Sequence, residues 1–186
     1  MARMTTLIVV VVVLALIALW LFVTYNGLVR SRNRTENAWA QVDVQLRKRY
    51  DLVPNIVESV KGYADHERST LEAVVSARNA AQHADSVPEQ AQAEGILTTA
   101  LRQVFALAEA YPELRANEGF RTLQAQLTDI EGDIAVSRQI YNDTILTYNN
   151  KVETVPTNLV AGMTGFERRA SFEIEDDGRS VPKVEF

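Results

Sequence analysis

Few residues in this chain have the chemistry for catalysis or metal binding, and they do not form a catalytic or metal-binding pattern. The chain has two histidines and no cysteine, which excludes thiol catalysis, thiolate metal sites and disulfides. A di-metal site in a helical protein needs Glu-x-x-His pairs, but Tyr63 and Ala80 stand three residues before His66 and His83. The sequence therefore predicts no metal and no cofactor.

Two weaker arrangements lead to the same expectation. His66 beside Glu67 would supply half of a metal site, but no second histidine shares its helical face, so we expect both side chains at the surface. A Ser-His-Asp triad does not need adjacent residues, yet the chain lacks the Gly-x-Ser-x-Gly elbow that presents such a serine. We therefore expect no enzymatic activity.

Four charged residues lie at or beside apolar positions of helical stretches: Arg49, Asp51, Glu131 and Arg138. A buried charge costs several kcal/mol unless it is paired. We therefore predict that the two arginines meet carboxylates across the fold, with Asp51 and Glu131 as the partners. Such pairs either fix the register of neighbouring helices or line a cleft for a partner protein, and the first interpretation is favoured.

Tyrosines form a second polar set at helical spacing, comprising Tyr63, Tyr111, Tyr141 and Tyr148. A buried tyrosine usually keeps its hydroxyl hydrogen-bonded while its ring packs in the core. We predict that these residues lie at the edge of the core.

A long helix positions the first of these residues. Apolar side chains recur every three or four positions at 39, 42, 46, 53, 56, 60 and 63, interrupted by Arg49, which is the period of a helix with one buried face. Pro54 removes a backbone donor inside this helix, so we predict a kink near Tyr50 and Asp51. We expect the helix to continue to about Ala81.

Two more helices follow in the sequence. Ser86 and Glu89 match a capping box, and the helix that they start should close near Ala110. Asn117 is placed to cap a third helix, which Pro156 ends. Short connections favour antiparallel neighbours. The predicted fold is all-α, with one N-terminal transmembrane helix followed by an elongated, coiled-coil-like antiparallel bundle of three to four long helices.

The N-terminal segment predicts attachment to a membrane. No polar residue occurs from Leu7 to Val23, and with its flanks this run reaches the roughly 20 residues that a helix needs to cross a bilayer. The alternative is a cleaved signal peptide, whose apolar core is typically shorter, at about 7 to 15 residues. Arginines 30, 32 and 34 outweigh Arg3 and the terminal amine, so we expect the rest of the chain to be cytoplasmic, with a periplasmic location as the alternative.

Net charge and the C-terminal sequence complete the predicted organisation. The net charge is −5, which argues against a general nucleic-acid binder. Ser171–Ile174 and Val184–Phe186 either pair as a short hairpin across Asp177-Gly178 or are disordered, and Phe166 and Phe172 would tether this tail. We divide the chain into a transmembrane anchor (1–29), a helical bundle (30–156) and a tail (157–186).

Several short motifs point to a protein family, and the most distinctive is the block Arg49-Tyr50-Asp51-Leu52-Val53-Pro54-Asn55. The others are Tyr25-Asn26-x-Leu28-Val29, Ala38-Trp39, Asp43-Val44-Gln45-Leu46, Val60-Lys61-Gly62-Tyr63, His66-Glu67, Glu109-Ala110-Tyr111-Pro112, Phe120 with Leu123, Glu131, Arg138 with Tyr141-Asn142, Tyr148-Asn149 and Pro156. Together they resemble the LemA family of bacterial membrane proteins, and the likeness extends to about Phe172.

The resemblance implies a single transmembrane helix followed by a long-helix bundle. It brings no active site, because the family has no established enzymatic activity. It also implies an accessory or scaffolding role, linked in some bacteria with an HtpX-type membrane metallopeptidase or with envelope-stress and surface proteins. The structural or interaction candidates are Trp39, Asp43, Arg49, Tyr50, Asp51, Pro54, Asn55, Tyr63, Tyr111, Pro112, Glu131, Arg138, Tyr141 and Asn142.

Three functional hypotheses follow. The first is a non-catalytic, membrane-anchored scaffold that self-associates or organises partner proteins at the bacterial inner membrane. The second is an adaptor or regulator of an HtpX-type protease or an envelope-stress complex, with the face from Arg49 to Tyr63 binding the partner. The third, an enzyme or ligand sensor in a bundle cavity, has the least support. The expected partners are the lipid bilayer, further copies of the chain and a membrane protease or envelope protein, but no nucleic acid.

Overall fold

A computed structural model describes residues 2–64 and 66–174 of the chain. Every regular element within these ranges is a helix, so the predicted all-α class is confirmed for this part of the chain. The helices are α1 (Ala2–Lys61), α2 (Arg68–Gln82), α3 (Val87–Glu109), α4 (Pro112–Ala116), α5 (Glu118–Glu153) and α6 (Thr157–Thr164). The antiparallel bundle arrangement of the whole set stays a prediction.

The first helix, α1, carries an exposed apolar segment, Leu7–Val23, at its N-terminal end. All side chains of this apolar segment are exposed, and α1 contains an 18-residue window with a mean hydropathy of 3.2 and no buried share. Among residues 2–64 and 66–174, α1 is the one helix long and apolar enough to cross a membrane, judged by length and composition. This property is consistent with membrane anchoring.

Beyond the apolar segment, α1 buries one face as its period predicts. Pro54 lies inside the helix and is exposed, so its ring does not disturb the packed face. The residues of this face that are at most 2% exposed include Leu28, Val42, Leu46, Val53, Ile56 and Val60. The kink expected near Tyr50 stays a prediction.

The prediction that this helix continues to Ala81 is wrong. α1 ends at Lys61, and a non-helical connection precedes α2, which begins at Arg68. The carbonyl of Val60 accepts hydrogen bonds from the amides of both Tyr63 and Ala64, each at 3.0 Å, which closes the helix with a tight turn. Gly62 lies in this turn, where its low helix propensity favours a stop over continuation.

The predicted N-terminal caps of α3 and α5 are confirmed. The Ser86 hydroxyl accepts from the Glu89 amide at 3.4 Å, and the Glu89 carboxylate accepts from the amide of Asp85 rather than of Ser86. Asn117 Oδ1 accepts from the Phe120 amide at 3.1 Å. The short helices α4 and α6 were not anticipated from the sequence.

The chain divides into two compact units. Among the described residues, the first unit comprises residues 2–39 together with Ile140–Arg169, and the second unit comprises residues 40–64 and 66–139 together with 170–174. In the first unit, Leu28 and Tyr148 share a core cluster, and the rings of Trp39 and Tyr141 lie 5.1 Å apart. Because the residue order is reversed between these two contacts, α1 and α5 are antiparallel within the first unit.

The described residues after α6 are irregular, and two phenylalanines among them are buried. Phe166 is 7% exposed and Phe172 is fully buried, as expected for residues that tether this segment. Ser171–Ile174 form no strand. The proposed partner strand, Val184–Phe186, lies outside the described residues, as does the Asp177-Gly178 turn.

Candidate functional site

A buried polar cluster lies inside the second unit and joins α1, α3 and α5. Arg49 is 1% exposed and Glu94 is fully buried. Arg49 Nη1 donates to Glu94 Oε2 at 3.1 Å, and Nη2 donates to the Thr98 hydroxyl at 2.7 Å. Arg49 Nε lies 3.2 Å from Glu131 Oε1, an ion pair that lacks hydrogen-bonding geometry. The guanidinium thus contacts two carboxylates from two different helices.

The second carboxylate oxygen of Glu94 is bound by two further side chains. The Tyr50 hydroxyl donates to Glu94 Oε1, and Gln90 Nε2 donates to the same oxygen at 2.9 Å. Gln90 Nε2 also lies 2.8 Å from the Tyr50 hydroxyl oxygen, and Arg78 Nε donates to the Tyr50 carbonyl at 2.8 Å. The acidic group is therefore satisfied on both oxygens without solvent.

Burial dominates the electrostatics of this cluster. Desolvation raises the pKa of Tyr50, and the neighbouring Glu94 carboxylate raises it further. Desolvation also raises the pKa of Glu94, although the Tyr50 hydrogen bond, the Arg49 charge and the Gln90 hydrogen bond oppose that shift. The Tyr50 hydroxyl and the Glu94 carboxylate are buried and hydrogen-bonded to each other. That such contacts fix the register of neighbouring helices stays a prediction.

An open cleft of about 560 Å³ is lined by residues of α3, α4 and α5 in the second unit. The rings of Phe105 and Phe120 form part of its wall, with centroids 5.8 Å apart. The exposed residues Arg102 and Arg115 also line it. Its lining further includes Thr98 and Glu131, so the cleft borders the buried cluster. Glu109 lines the cleft as well, so the lining combines apolar side chains with charges of both signs.

The prediction that Arg49 meets a carboxylate across the fold is confirmed, and Glu131 is one of the two partners predicted for the pair of arginines. The other predicted partner, Asp51, is exposed and lies outside the cluster, because residues two apart on a helix point to nearly opposite sides. The second carboxylate that Arg49 meets is Glu94. Arg138 lies with its guanidinium 5.2 Å from the centroid of the Phe172 ring, and its pairing with a carboxylate stays a prediction.

The other sequence candidates do not converge on one site. Trp39 and Tyr141 pack together in the first unit, and Asp43 pairs with Arg47 at 2.8 Å on the surface. The Tyr63 hydroxyl accepts from Asn117 Nδ2 at 3.1 Å, as expected for a core-edge tyrosine. The remaining candidates are Pro54 and Asn55, which are exposed, Tyr111 and Asn142, which are half-buried, and Pro112, which is the exposed first residue of α4.

The apolar side of the stretch from Arg49 to Tyr63 faces inward. Val53, Ile56 and Val60 are fully buried, so a partner that binds this stretch would meet the opposite, polar side, to which Glu58 belongs.

Sequence reasoning missed Glu94, although a signal was present. Glu94 precedes Leu97 by three residues and Leu101 by seven, and both leucines are buried on α3. That spacing places a carboxylate on the apolar face of a helix, where it requires a partner such as Arg49.

A second polar arrangement, in the first unit, was also missed. Asn149, which is 7% exposed, donates through Nδ2 to the Arg169 carbonyl at 2.9 Å and accepts from the Arg169 amide at 3.0 Å. The Tyr148 hydroxyl donates to the Glu167 carbonyl at 2.9 Å, and burial raises the pKa of Tyr148. We call these contacts the Asn149 clamp, because they fix the irregular segment 166–169 to α5.

Metal-binding side chains do not come together in residues 2–64 and 66–174, where no group of three or more His, Cys, Asp or Glu residues forms a candidate metal site.

Comparison with known proteins gives a consistent assignment. The LemA family model matches residues 38–186, a range that includes the buried cluster and the cleft. Magnetosome protein MamQ 2 of Paramagnetospirillum magneticum is 26% identical over 184 aligned positions, covering 85% of this chain and 68% of that protein. Protein LemA of Metamycoplasma hominis is 25% identical over 156 positions, covering 81% of this chain and 69% of that protein.

Magnetosome protein MamQ of Magnetospirillum gryphiswaldense is 30% identical over 86 positions, covering 46% of this chain and 32% of that protein. None of these names states a reaction. With the family match spanning most of its length, the chain belongs to the LemA family.

Proposed function

We propose that this protein is a non-catalytic scaffold, anchored by α1 in the bacterial inner membrane, that self-associates or organises partner proteins there. The observation that carries the proposal is the unbroken helix α1, Ala2–Lys61, which bears both the exposed apolar segment and the buried face that includes Val42 and Val53. A fully apolar, uncovered helical surface of this length is stable in lipid and costly in water.

The buried polar cluster supports a structural role for the charged residues. Arg49 and Tyr50 of α1 both donate hydrogen bonds to Glu94 of α3. These bonds fix α1 against α3. A protein whose buried ion pair fixes the register of its own helices is suited to presenting a rigid surface to other proteins.

Anchoring to a membrane favours association between copies. Proteins confined to a two-dimensional surface meet at a raised effective concentration, so weak contacts are sufficient for assembly. Self-association of this chain would therefore depend on the apolar segment as well as on the folded part.

The first test compares the full-length protein with a variant that lacks residues 2–23 and retains the buried Leu28. The full-length protein should resist extraction from membranes by alkaline carbonate, and in mild detergent its mass should exceed that of the 20.8 kDa chain. The shortened variant should be released from membranes and should lose the assembly.

Two results would contradict parts of this proposal. Extraction of the full-length protein by carbonate would exclude anchoring through α1. A strictly monomeric full-length protein at all concentrations, in detergent and in native membranes after cross-linking, would exclude self-association.

A second candidate function is an adaptor of a membrane protease of the HtpX type or of an envelope-stress complex, and the cleft of the second unit favours it. Phe105 and Phe120 offer an apolar wall, and Arg102 and Arg115 offer positive charge. Aromatic and arginine side chains are enriched at protein interfaces, although Phe105 is half-buried and Phe120 is buried here. Glu109 and Glu131 also line the cleft, so a partner segment with apolar residues and charges of both signs would fit this lining.

The adaptor function is tested by reversing charge at the cleft. The double variant Arg102→Glu/Arg115→Glu should lose co-purification with an HtpX-type protease, whereas Arg121→Glu, an exposed arginine of α5 outside the cleft lining, should keep it. Equal co-purification by both variants, with unchanged helicity, would rule out the cleft as the docking site.

A further inference from the structure

The short helix α6 has two faces of contrasting surroundings, although both are uncharged. Val160 and Ala161 are 3% and 1% exposed and pack in the core cluster with Leu28, Tyr148 and Phe166. On the other side, Leu159 is 62% exposed and Met163 is 82% exposed. Because these two residues are four apart, they lie together on one face of the helix.

The exposed apolar surface extends beyond α6 itself. Val155, just before the helix, is 79% exposed, and the run from Val155 to Phe166 contains no charged residue. Long apolar side chains at such exposure are normal singly, but a charge-free run that presents three of them favours a surface covered by something other than water.

The position of α6 within the first unit indicates what covers it. The span of about 20 residues that a helix needs to cross the hydrocarbon ends near Tyr25. Leu28, against which α6 packs, follows Tyr25 by about 4 to 5 Å along α1, at about 1.5 Å of rise per residue. The headgroup region on each side of a bilayer is about 5 to 7 Å thick. If the apolar segment spans the hydrocarbon, α6 lies at the height of the lipid headgroups.

Aromatic and basic residues near α6 in the first unit are of the types found at the lipid headgroups. The Tyr25 ring packs edge-on against the Phe166 ring at 5.9 Å, and tyrosine is enriched at membrane interfaces. The Arg32 guanidinium lies 5.4 Å from the centroid of the Phe166 ring, and Arg30 and Arg34 are exposed on the same stretch of α1. These arginines complement anionic lipid headgroups.

Acidic groups near α6 are partly neutralised. Glu153 pairs with Arg168 at 3.5 Å, and Glu36 pairs with Arg169 at 3.0 Å. These carboxylates therefore repel an anionic membrane surface less strongly than unpaired carboxylates would.

We propose that α6 is a membrane-interface helix, whose Leu159 and Met163, together with Val155 just before the helix, insert into the boundary between headgroups and acyl chains of the bilayer that α1 crosses. The proposal rests on the membrane anchoring proposed above. It gives the first unit two membrane contacts, one that spans the bilayer and one that lies in its surface, and the second contact restricts tilting of α1. An apolar helix face buried a few ångströms deep is the usual way for such an element to bind.

The experiment uses single cysteines in the full-length protein, because the natural chain has none. Leu159→Cys and Met163→Cys are labelled with an environment-sensitive fluorophore and reconstituted into vesicles of phosphatidylcholine and phosphatidylglycerol. Some vesicles carry a nitroxide high on the lipid acyl chain. Both labels should show blue-shifted emission and several-fold stronger quenching by the nitroxide lipid than a control label at Ile140→Cys.

Ile140 is a matched control because it is also an exposed apolar residue of the first unit, at 44% exposure. It precedes Tyr141, whose ring packs on Trp39, and Trp39 lies about 16 Å beyond Leu28 along α1. A label at Phe22→Cys, within the apolar segment, reports on anchoring independently.

The outcomes separate the two proposals. Quenching at Phe22→Cys without quenching at residues 159 and 163 would overturn the interface helix while anchoring stands. Loss of quenching at all these positions would overturn anchoring itself. Blue-shifted emission at 159 and 163 without lipid quenching would mean that protein, such as a second copy of this chain, covers α6, which also overturns the proposal.

Discussion

In the second unit a buried ion pair joins two helices, whereas in the first unit a buried neutral side chain binds the backbone of a non-helical segment. Arg49 and Glu94 join α1 and α3 through charges that are out of solvent. Asn149 holds a non-helical segment by matching the amide and the carbonyl of Arg169. Both arrangements join residues that are far apart in the sequence, but the first connects helices and the second connects a helix to a non-helical segment.

The difference follows from what each unit has to satisfy. The backbone hydrogen bonds of a helix are formed within the helix itself. A contact between two helices therefore needs only side chains that fix their register, and a buried ion pair can do this at a large desolvation cost. The segment 166–169 is not helical and lacks such internal backbone hydrogen bonds, so its backbone amides and carbonyls need side-chain partners. The ion pair should therefore be more sensitive to loss of one member than the Asn149 clamp.

The largest expected effect is that of removing one charge from the second unit. Arg49→Met leaves Glu94 buried without its counter-ion and should lower the free energy of unfolding by about 3 to 5 kcal/mol. Urea unfolding of the detergent-solubilised protein, followed by circular dichroism, measures this change.

Two further variants make that result interpretable. Arg47→Met removes an exposed arginine whose surface pair with Asp43 is worth about 0 to 1 kcal/mol, so its effect should be small. The double variant Arg49→Met/Glu94→Leu removes both charges and should be more stable than Arg49→Met alone. If the double variant is the less stable of the two, the ion pair is not what makes Arg49 important.

A smaller loss is expected in the first unit. Asn149→Ala removes two hydrogen bonds and should lower the free energy of unfolding by about 1 to 3 kcal/mol. The neighbouring Asn150→Ala, an exposed position, is the control and should have little effect. Hydrogen exchange at the Arg169 amide should accelerate in Asn149→Ala only; unchanged protection there would show that another group holds the segment.

The smallest effect is confined to alkaline pH. The pKa of Tyr50 is raised above its ordinary value of 10.0, so above that pH the unfolded chain loses a proton that the folded chain keeps. The unfolding free energy must then fall as pH rises, by about 1.4 kcal/mol per pH unit for one proton. Tyr50→Phe should remove the part of this fall in the unfolding free energy that is due to Tyr50. The variant should also be somewhat less stable than the natural protein at neutral pH.

Tyr148→Phe provides the matching variant in the first unit. Burial is the largest cause of the raised pKa at both tyrosines. The next largest cause at Tyr148 is the Arg169 charge, which opposes the rise, whereas at Tyr50 it is the Glu94 carboxylate, which adds to the rise. Tyr148→Phe should therefore remove the alkaline decline over a narrower range of pH. Parallel pH profiles of Tyr50→Phe and the natural protein would contradict the role given to Glu94.

Features that depend on neighbours within a few residues could be predicted from the sequence alone. The buried face of α1 follows from a period of three to four residues, and the caps at Ser86 and Asn117 follow from contacts over three residues. The apolar segment is defined by composition alone. The family motifs, too, are local strings of sequence.

Which distant groups meet depends on tertiary packing and could not be predicted from local sequence. The position of Arg49 on an apolar helix face predicts a carboxylate partner, but that Glu94 is this partner depends on how α1 and α3 are registered, which no local rule contains. The stop at Lys61, the existence of α6 and the use of Asn149 to hold residue 169 are likewise settled by packing, because each local sequence permits more than one conformation and the surrounding core selects among them.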